Sequence, residues 1–354
     1  MIAETTIPIR KSLTSKLAEI SLEQVPFGKY FTDHMLEADY VDGEWKNVEI
    51  KPFQPLVISP SLSAIHYGQS IFEGIKAYRS ESGQALIFRP YDNFARFNHS
   101  AARMCMPAVP EEIFIDGMRE LVKLDQQWIS ARPDHSLYIR PFMFSTDEQI
   151  GVKAADSYKF MIILSPTGPY YSKPLRIYAE EHYTRAARGG VGYAKAAGNY
   201  AASLLPAAEA RQKGYDQVLW LDASEHKYIQ EIGTMNVFFV LDGEIITPDL
   251  EGGTILAGVT RDSAITLLRD MGYSVTERPV HIDELLQSYR NGKLTEMFGT
   301  GTAATISPIR ELAYQDSRME FDTEKHAVAR EMKDKLDAIR LGKDADDYNW
   351  VLPV

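Results

Sequence analysis

The segment Ser165-Pro-Thr-Gly-Pro-Tyr-Tyr-Ser-Lys-Pro174 divides the chain near its middle. It follows the apolar run 160–164, and its three prolines and one glycine prevent it from continuing as a helix or as a central strand. We therefore predict a domain boundary at this segment. The predicted domains cover residues 1–165 and 177–354, and residues 166–176 form the loop between them.

The overall composition is that of a globular protein with an acidic balance of charge. The chain has 354 residues, with 38 Lys plus Arg and 49 Asp plus Glu, which give a formal net charge of −11 at pH 7. That length suits two domains of about 100–200 residues each. Because a negative field repels polyanions, we expect no nucleic-acid partner.

Cysteine use and hydropathy indicate the compartment. Cys105 is the single cysteine of the sequence, so an internal disulfide is excluded and a reducing, cytoplasmic location is expected. No run of about 18 apolar residues occurs, so no membrane-spanning helix is expected. Residues 1–20 lack the continuous apolar centre of a secretory signal, and their acidic residues disfavour a mitochondrial transit peptide.

Hydrophobic periodicity and turn signals predict a mixture of helices and strands. In the N-terminal half, Asp42-Gly43 predicts a hairpin turn, and apolar residues at helical spacing predict helices over 91–104 and 111–128. In the C-terminal half, Asp242-Gly243 predicts a second hairpin between strands 236–241 and 244–247. The other elements predicted there are helix 200–214, strand 217–221, helix 260–271, strand 273–280, helix 282–289, strand 295–298 and helix 324–341.

One lysine stands in a run of small residues after the boundary. In Gly189-Gly-Val-Gly-Tyr-Ala-Lys-Ala-Ala-Gly-Asn-Tyr200, Lys195 has no opposite charge within five residues. Small neighbours let a large group reach its amine, which can then act as a nucleophile or a base. An exposed lysine in a flexible loop is the alternative interpretation.

A carboxylate enters an apolar strand in Gln230-Glu-Ile-Gly-Thr-Met-Asn-Val-Phe-Phe-Val240. Glu231 needs a partner at this place, with Thr234 close to it in sequence. A protonated heterocyclic nitrogen would be such a partner, and the carboxylate would keep that ring cationic and electron-withdrawing. The alternative is a structural glutamate bonded to an arginine or to a backbone N–H.

Two glycine-rich segments are suited to an anion. Residues 251–265 lead from a turn into a helix, so the first helical amides, of Val259 and Thr260, favour a phosphate. The turn Phe298-Gly-Thr-Gly-Thr-Ala-Ala-Thr305 offers further N–H groups for a phosphate or a carboxylate. Alternatively, Thr260 is an ordinary helix N-cap.

A phenol and a guanidinium alternate in Leu137-Tyr-Ile-Arg-Pro141, which places Tyr138 and Arg140 on one face of a strand. Arg140 suits a carboxylate ligand, and a cross-strand salt bridge is the alternative. The eight histidines show no metal-ligand spacing, and no nucleophile elbow, Walker loop or dinucleotide fingerprint occurs, so no metal site is predicted.

Together these features meet the needs of pyridoxal 5′-phosphate (PLP): an amine for its aldehyde, a carboxylate for its ring nitrogen and amide-rich turns for its phosphate. In addition, Phe31-Thr-Asp-His-Met-Leu36, Phe72-Glu-Gly-Ile-Lys76, Ser136-Leu-Tyr-Ile-Arg-Pro141 and Trp350-Val-Leu-Pro-Val354 occur in the same order as in one family. Nearly end to end, the chain resembles the longer form of the branched-chain amino acid aminotransferases, which are fold-type IV PLP enzymes. The resemblance implies an α+β (mixed α/β) fold with a smaller N-terminal α/β domain and a larger, β-rich C-terminal domain that carries the PLP lysine.

The resemblance also implies the cofactor contacts. Lys195 would bind PLP covalently and move the reacting proton, and Glu231 would pair with the pyridine nitrogen. The other cofactor-binding residues that the family implies are Arg96, Tyr200, Thr234, Val259, Thr260 and Thr302.

The reaction implied by the family is transamination of leucine, isoleucine or valine with 2-oxoglutarate, giving 2-oxo acids and L-glutamate. Burying the second carboxylate of glutamate requires a donor, which Tyr138 and Arg140 would supply. The substrate-binding residues implied are Tyr67, Phe72, Tyr138, Arg140, Tyr170, Ala303 and Ala304. The family also implies a homodimer with a shared active site.

Two other interpretations stay open. A D-amino acid aminotransferase or an aminodeoxychorismate lyase of the same fold type would share Lys195 and Glu231, although the Tyr138–Arg140 pair and the Ala303-Ala304 turn favour the branched-chain activity. A PLP-carrying protein without turnover is the interpretation from a different class.

Overall fold

The computed structural model describes residues 7–354. Residues 1–6, which begin the predicted N-terminal domain and the segment assessed for a targeting signal, lie outside the described residues. Within residues 7–354, seventeen strands and eight α-helices are present. None of these helices combines the length and the apolar character needed to span a bilayer.

The strands are β1 (His34–Val41), β2 (Glu44–Pro52), β3 (Ser70–Phe72), β4 (Ile75–Arg79), β5 (Ala85–Phe88), β6 (Ser136–Ser145), β7 (Tyr158–Thr167), β8 (Leu175–Ala179), β9 (Gln217–Leu221), β10 (Ile229–Ile232), β11 (Asn236–Leu241), β12 (Glu244–Thr247), β13 (Val275–Glu277), β14 (Leu294–Gly301), β15 (Thr305–Tyr314), β16 (Ser317–Glu320) and β17 (Val351–Pro353). The α-helices are α1 (Ser63–Tyr67), α2 (Pro90–Arg103), α3 (Gly117–Leu124), α4 (Ala197–Ala202), α5 (Leu204–Gln212), α6 (Val259–Asp270), α7 (Ile282–Arg290) and α8 (Ala327–Arg340).

The chain divides into two compact units. The first unit comprises the chain up to Tyr170, together with Ala194–Gly198 and Ile339–Val354. The second unit comprises Tyr171–Tyr193 and Asn199–Ala338. The division at Tyr170 falls inside the predicted loop 166–176, and the segment that contains Lys195 packs with the first unit. The predicted domain limits, 1–165 and 177–354, stay a prediction.

The first unit is built on an antiparallel sheet with the order β17-β5-β4-β6-β7-β1-β2. The short strand β3 also pairs with β6, on the same edge as β4. Its core joins one face of this sheet to the apolar sides of α2 and α3. The side chains of Phe97, Phe114, Trp128 and Phe160 are completely buried there. Burial of each such ring contributes about 1.5–3 kcal/mol of hydrophobic stabilisation.

The second unit contains a mixed sheet with the order β10-β9-β8-β15-β14-β11-β12-β13, and β16 pairs with β15. Neighbours β9, β8 and β15 run parallel, as do β12 and β13, whereas the β14–β15 and β11–β14 pairs are antiparallel. Because both units combine sheets with helices, the prediction of an α+β fold is confirmed.

Both predicted hairpins are confirmed. Val41 pairs with Glu44 around Asp42-Gly43, and Leu241 pairs with Glu244 around Asp242-Gly243. In each turn both central residues have positive φ, at 55° and 79° in the first and 54° and 85° in the second. That backbone matches the twist of the flanking strands and is the reason for the Asp-Gly pair.

Two predicted helices are interrupted in the structure. The helix expected over 200–214 is split into α4 and α5, because Pro206 near the start of α5 lacks the N–H that a continuous helix would need. The helix expected over 111–128 consists of the π-helical turn Glu112–Asp116, the helix α3 and the 3₁₀ turn Gln126–Trp128. At the junction, a side chain on Gly117 would collide with Leu36 of β1.

A buried histidine lies at the start of α8 in the second unit. The ring of His326 is 2% exposed, and neither ring nitrogen has a hydrogen-bond partner within residues 7–354. Burial lowers the pKa of His326 below its ordinary value of 6.5, and the positive charge of Arg330 acts in the same direction. The negative charges of Glu296 and Asp322 act in the opposite direction but do not cancel the effect of burial. The unfolded chain therefore binds this proton more readily than the folded chain does.

This histidine makes the fold sensitive to acid. Well above pH 6.5 the imidazole is neutral in both states, and the stability of the fold declines as the pH falls through that value. We expect the free energy of unfolding, measured by urea titration, to fall when the pH is lowered from about 7.5 to about 5.5. The fall should be smaller in His326→Leu than in the wild type. The exposed His182→Leu is the control, and equal losses in all three proteins would contradict the account.

Candidate active site

Strand β6 has two different faces because side chains alternate along a strand. Leu137, Ile139 and Met143 are completely buried in the core of the first unit. Tyr138, Arg140 and the other even-numbered residues point to the opposite side, which we call the even face, and Arg140, Phe142 and Phe144 are only partly buried. The predicted placement of Tyr138 and Arg140 on one face is confirmed.

The segment from Phe72 to Lys76 runs antiparallel beside β6. Phe72 pairs with Phe142 and Lys76 pairs with Tyr138, and the N–H of Glu73 donates to the carbonyl of Pro141 over 2.8 Å. The same register applies on both sides of Glu73, so Gly74 lies opposite Arg140. Phe72 and Gly74 therefore share the even face.

Arg140 is surrounded by aromatic rings on this face. Its guanidinium carbon lies 4.5 Å from the centroid of Phe72 and 5.2 Å from that of Tyr138, and Nη2 donates to the Tyr138 hydroxyl over 2.9 Å. Within residues 7–354 no carboxylate forms an ion pair with Arg140, and its buried Nε has no hydrogen-bond partner. The cross-strand salt bridge is not found, and the arrangement favours an anionic ligand.

A second buried polar atom without a partner is close by in the sheet. Ser165 of β7 pairs with Tyr138 across the strands, so its side chain lies on the even face as well. Its Oγ is buried and finds no hydrogen-bond partner in the described part of the chain. Ser165 was missed as a site residue because a serine at the end of an apolar strand carries no signal of its own.

Other aromatic residues extend this surface. Phe27 packs edge-on against Tyr138 with 4.8 Å between ring centroids and against Tyr170 with 5.0 Å. The structure thus brings Tyr170 to Tyr138 through Phe27, a residue that the sequence motifs did not indicate. Tyr67 stands at the end of α1 with its ring partly exposed.

Lys195 is anchored on the first unit by its backbone. Its N–H donates to Ser100 Oγ of α2 over 2.9 Å, and its carbonyl accepts the N–H of Phe72 over 3.1 Å. The amine lies 4.9 Å from the centroid of the Phe72 ring. Because hydrogen bonds to α2 and β3 fix the backbone, the structure does not support the flexible-loop alternative.

Arg96 of α2 is bound by a carboxylate. Its Nε and Nη2 donate to the two oxygens of Glu73 over 2.7 and 2.8 Å, and Nη2 also lies 3.3 Å from Asn93 Oδ1. Glu73 is fully buried and was not predicted as a site residue, although it stands inside the motif that contains Phe72. The bidentate pair fixes the guanidinium plane of Arg96.

Breaking this pair should be costly. Glu73→Gln keeps the shape but leaves the buried cation of Arg96 without a counter-charge, so we expect the free energy of unfolding to fall by about 3 kcal/mol. Glu120→Gln, which removes an exposed ion pair with Lys123, should change it by less than about 1 kcal/mol. Equal effects of the two substitutions in urea titrations would contradict a structural role for the buried pair.

In the second unit, one recess collects three of the predicted cofactor-binding residues. Tyr200, Glu231 and Thr234 line it together with Arg185, Asn199, Ser203 and Gly233. Glu231 is buried on β10, and one of its oxygens accepts the N–H of Leu256 over 2.7 Å. The recess thus has a carboxylate at its wall and a phenol and hydroxyl groups around it.

Arg185 is the charged partner of Glu231 that the sequence did not reveal. Its Nε lies 3.2 Å from Glu231 Oε2, within ion-pair distance but without an aligned hydrogen bond. Its Nη2 donates to the carbonyls of Gly192, over 3.2 Å, and Thr254. Both structural alternatives raised for Glu231, an arginine and a backbone N–H, are therefore present, and Arg185 offsets the cost of burying this carboxylate.

The loop before β10 is held by a second carboxylate. Burial alone would raise the pKa of Asp222, but hydrogen bonds from Ser224 and from the backbone amides of Tyr228, Lys227 and Glu225 hold it well below its usual range. The carboxylate stays ionised at neutral pH and organises the turn that leads to Glu231.

The predicted phosphate turn begins α6. The helix starts at Val259, and its N-cap is Gly258, which has no side chain to cap the first amides. The alternative that Thr260 is the N-cap is therefore wrong. A side chain at position 258 would collide with Asn236 Oδ1, so close packing requires the glycine.

The second predicted anion turn is a tight hairpin. Gly301 of β14 pairs with Thr305 of β15, which leaves Thr302, Ala303 and Ala304 as the connecting turn. Thr305, the residue that closes the turn, has φ of 59°, a left-handed conformation that is uncommon for a β-branched residue. The glycine-rich composition predicted this turn correctly.

Comparison with known proteins identifies the family. The model of the family described as amino-transferase class IV matches residues 70–312, which is more than half of the chain. A probable branched-chain-amino-acid aminotransferase of Staphylococcus aureus (strain MRSA252) is 49% identical over 350 residues, which cover 97% of this chain and 96% of that protein. The chain belongs to the class IV aminotransferases.

Solved structures agree with this membership. The branched-chain aminotransferase of Thermoproteus uzoniensis with norvaline has a TM-score of 0.74 at 27% identity, covering 90% of this aminotransferase and 99% of that chain. A T.th. branched-chain amino acid aminotransferase complexed with N-(5′-phosphopyridoxyl)-L-glutamate has a TM-score of 0.72 at 27% identity, covering 89% and 97%. This class IV aminotransferase has the fold-type IV architecture, and its cofactor is PLP.

Proposed function

We propose that this aminotransferase exchanges the amino group between branched-chain L-amino acids and 2-oxoglutarate, producing 2-oxo acids and L-glutamate. The names of relatives with about half of their residues identical support the substrate class. The observation that carries the proposal is Arg140, a guanidinium among aromatic rings without a carboxylate partner in residues 7–354. Aromatic rings beside a guanidinium suit an aliphatic side chain and also supply a donor for the second carboxylate of glutamate.

Residues in both units fit PLP by their chemistry. Lys195 offers an amine beside an aromatic ring, and Glu231 offers a buried carboxylate for the pyridine nitrogen. We propose that Tyr200 and Thr234 contact the ring from the recess that they share with Glu231. The phosphate would be bound by Arg96, by the amides of Val259 and Thr260 and by Thr302.

Each residue then has a defined task in the reaction. When bound, PLP supplies an electrophilic carbon and an electron-withdrawing ring. Lys195 Nζ removes the proton from the Cα atom of the amino acid and returns a proton during the second half of the exchange. Glu231, paired with Arg185, would act as a fixed negative charge that holds a proton on the ring nitrogen.

The substrate would be held by three kinds of contact. The amides of Ala303 and Ala304 bind the α-carboxylate, and Tyr67, Phe72, Tyr138 and Tyr170 form aliphatic-binding walls. Arg140 contributes its free donors only when the substrate carries a second carboxylate. Uncharged branched side chains lie against the same rings.

Transfer of labelled nitrogen tests the proposed activity. Incubating the holoenzyme with α-¹⁵N-leucine and 2-oxoglutarate should give ¹⁵N-glutamate and an equal amount of 4-methyl-2-oxopentanoate by mass spectrometry. α-¹⁵N-D-alanine supplied in place of leucine should give no labelled glutamate. Transfer from D-alanine in place of leucine would support a D-amino acid aminotransferase, and no transfer from either donor would contradict the proposed transamination.

Lys195→Ala should lose both the covalent bond to the cofactor and the proton transfer. We expect turnover to fall by at least about 100-fold, the lower range for a general acid–base group. Borohydride reduction should fix PLP to the wild-type peptide that contains Lys195 and to no peptide of the variant. Lys213→Ala, at an exposed lysine, is the matched control, and an active, borohydride-labelled Lys195→Ala protein would refute the assignment.

We also propose that two copies form a homodimer that shares the active site. Large exposed apolar side chains that stand close together in sequence on the first unit support it, since grouped apolar side chains mark interfaces: Leu56 with Val57, and Ile150 with Val152. The mass in solution, measured by light scattering, tests this assembly.

A cytoplasmic location is proposed as well, because the exposed thiol of Cys105 is free and a reducing compartment preserves it.

A further inference from the structure

We propose that Gly74 is a positioning residue that sets the specificity for dicarboxylate substrates, an inference that rests on the proposed role of Arg140. The position has no side chain of its own to contact a substrate. Its effect is to leave room for the hydroxyl of Tyr138, which in turn orients the Arg140 guanidinium.

The sheet register brings these three residues together. Gly74 connects β3 and β4, which both pair with β6, and it lies opposite Arg140 in the register that joins Phe72 to Phe142 and Lys76 to Tyr138. In an antiparallel pair, diagonal neighbours on one face are within reach of long aromatic side chains. The Tyr138 ring reaches across the strands to Gly74 in this way.

The space above Gly74 is filled by Tyr138. A methyl group on Gly74 would lie 3.0 Å from Tyr138 Cζ and would overlap the hydroxyl oxygen. The three atoms nearest to such a methyl group all belong to Tyr138. Any side chain at position 74 therefore displaces the phenol before it disturbs another residue.

Displacing the phenol affects Arg140 directly. The Tyr138 hydroxyl accepts a hydrogen bond from Arg140 Nη2 over 2.9 Å, and the guanidinium is otherwise held by the ring of Phe72. The buried Nε has no protein partner within residues 7–354 that could keep the group in place. Without the phenol contact the guanidinium can rotate. A rotated guanidinium no longer aligns two of its N–H groups with the second carboxylate of the substrate.

The consequence is selective for one half of the reaction. Glutamate and 2-oxoglutarate need the guanidinium, whereas leucine contacts the rings of Tyr67, Phe72 and Tyr170 as well as that of Tyr138, so displacing Tyr138 costs leucine less. We expect Gly74→Ala to lower the ratio of kcat/KM for glutamate to kcat/KM for leucine by at least about tenfold, which corresponds to about 1.4 kcal/mol.

Removing the hydroxyl should suppress this effect. Tyr138→Phe leaves the ring carbons Cζ and Cε2 near the added methyl group, at 3.0 and 3.3 Å, and a shift of a few tenths of an ångström relieves both contacts. In the Tyr138→Phe background, Gly74→Ala should therefore change the glutamate-to-leucine ratio by less than about threefold, as expected when two substitutions disrupt one interaction. Glu120→Gln, an exposed substitution on α3 outside the site, is the control and should leave the ratio unchanged.

The experiment measures the glutamate and leucine half-reactions of each holoenzyme from the cofactor absorbance. A selective loss in Gly74→Ala that disappears in the double variant supports the inference. Equal losses for both substrates, or an undiminished effect in the double variant, would overturn it. If Gly74→Ala does not fold, the double variant decides: its ratio must match that of Tyr138→Phe. A wild-type enzyme that reacts with neither substrate would refute the proposed function instead.

Discussion

The pairing of β6 with the segment from Phe72 to Lys76 is the constraint on which the first unit's site depends. This register places Phe72 and Gly74 on the even face beside Tyr138 and Arg140. The backbone carbonyl of Lys195 accepts the N–H of Phe72, so the same short segment also positions the lysine. A slip of one residue would turn every one of these side chains to the other face of the sheet.

The charged groups lie in two kinds of surroundings. Arg96 is held by Glu73, and Glu231 faces Arg185, so burial of these charges is compensated inside the chain. Arg140 and the amine of Lys195 both lie over the ring of Phe72, at 4.5 and 4.9 Å from its centroid. The guanidinium beside this apolar ring creates a positive potential that attracts an anionic substrate.

Local signals in the sequence predicted the hairpins, the glycine-rich turns and the alternation of Tyr138 with Arg140, because each depends on neighbouring residues. Glu73 and Arg185 were missed because their partners, Arg96 and Glu231, are distant in sequence and no short motif encodes such an ion pair. The break at Ser203 could have been predicted from Pro206. That Phe72, Gly74 and Ser165 join Tyr138 and Arg140 on the even face follows from the register between strands, which sequence periodicity alone does not supply.

The central claim is that one guanidinium admits a second carboxylate to an otherwise apolar surface. A crystal structure of the enzyme with N-(5′-phosphopyridoxyl)-L-glutamate tests it most directly. We expect the distal carboxylate to lie about 2.8 Å from donors of Arg140, on the side of β6 that carries Tyr138. A distal carboxylate bound by other groups, with Arg140 unchanged, would contradict the account.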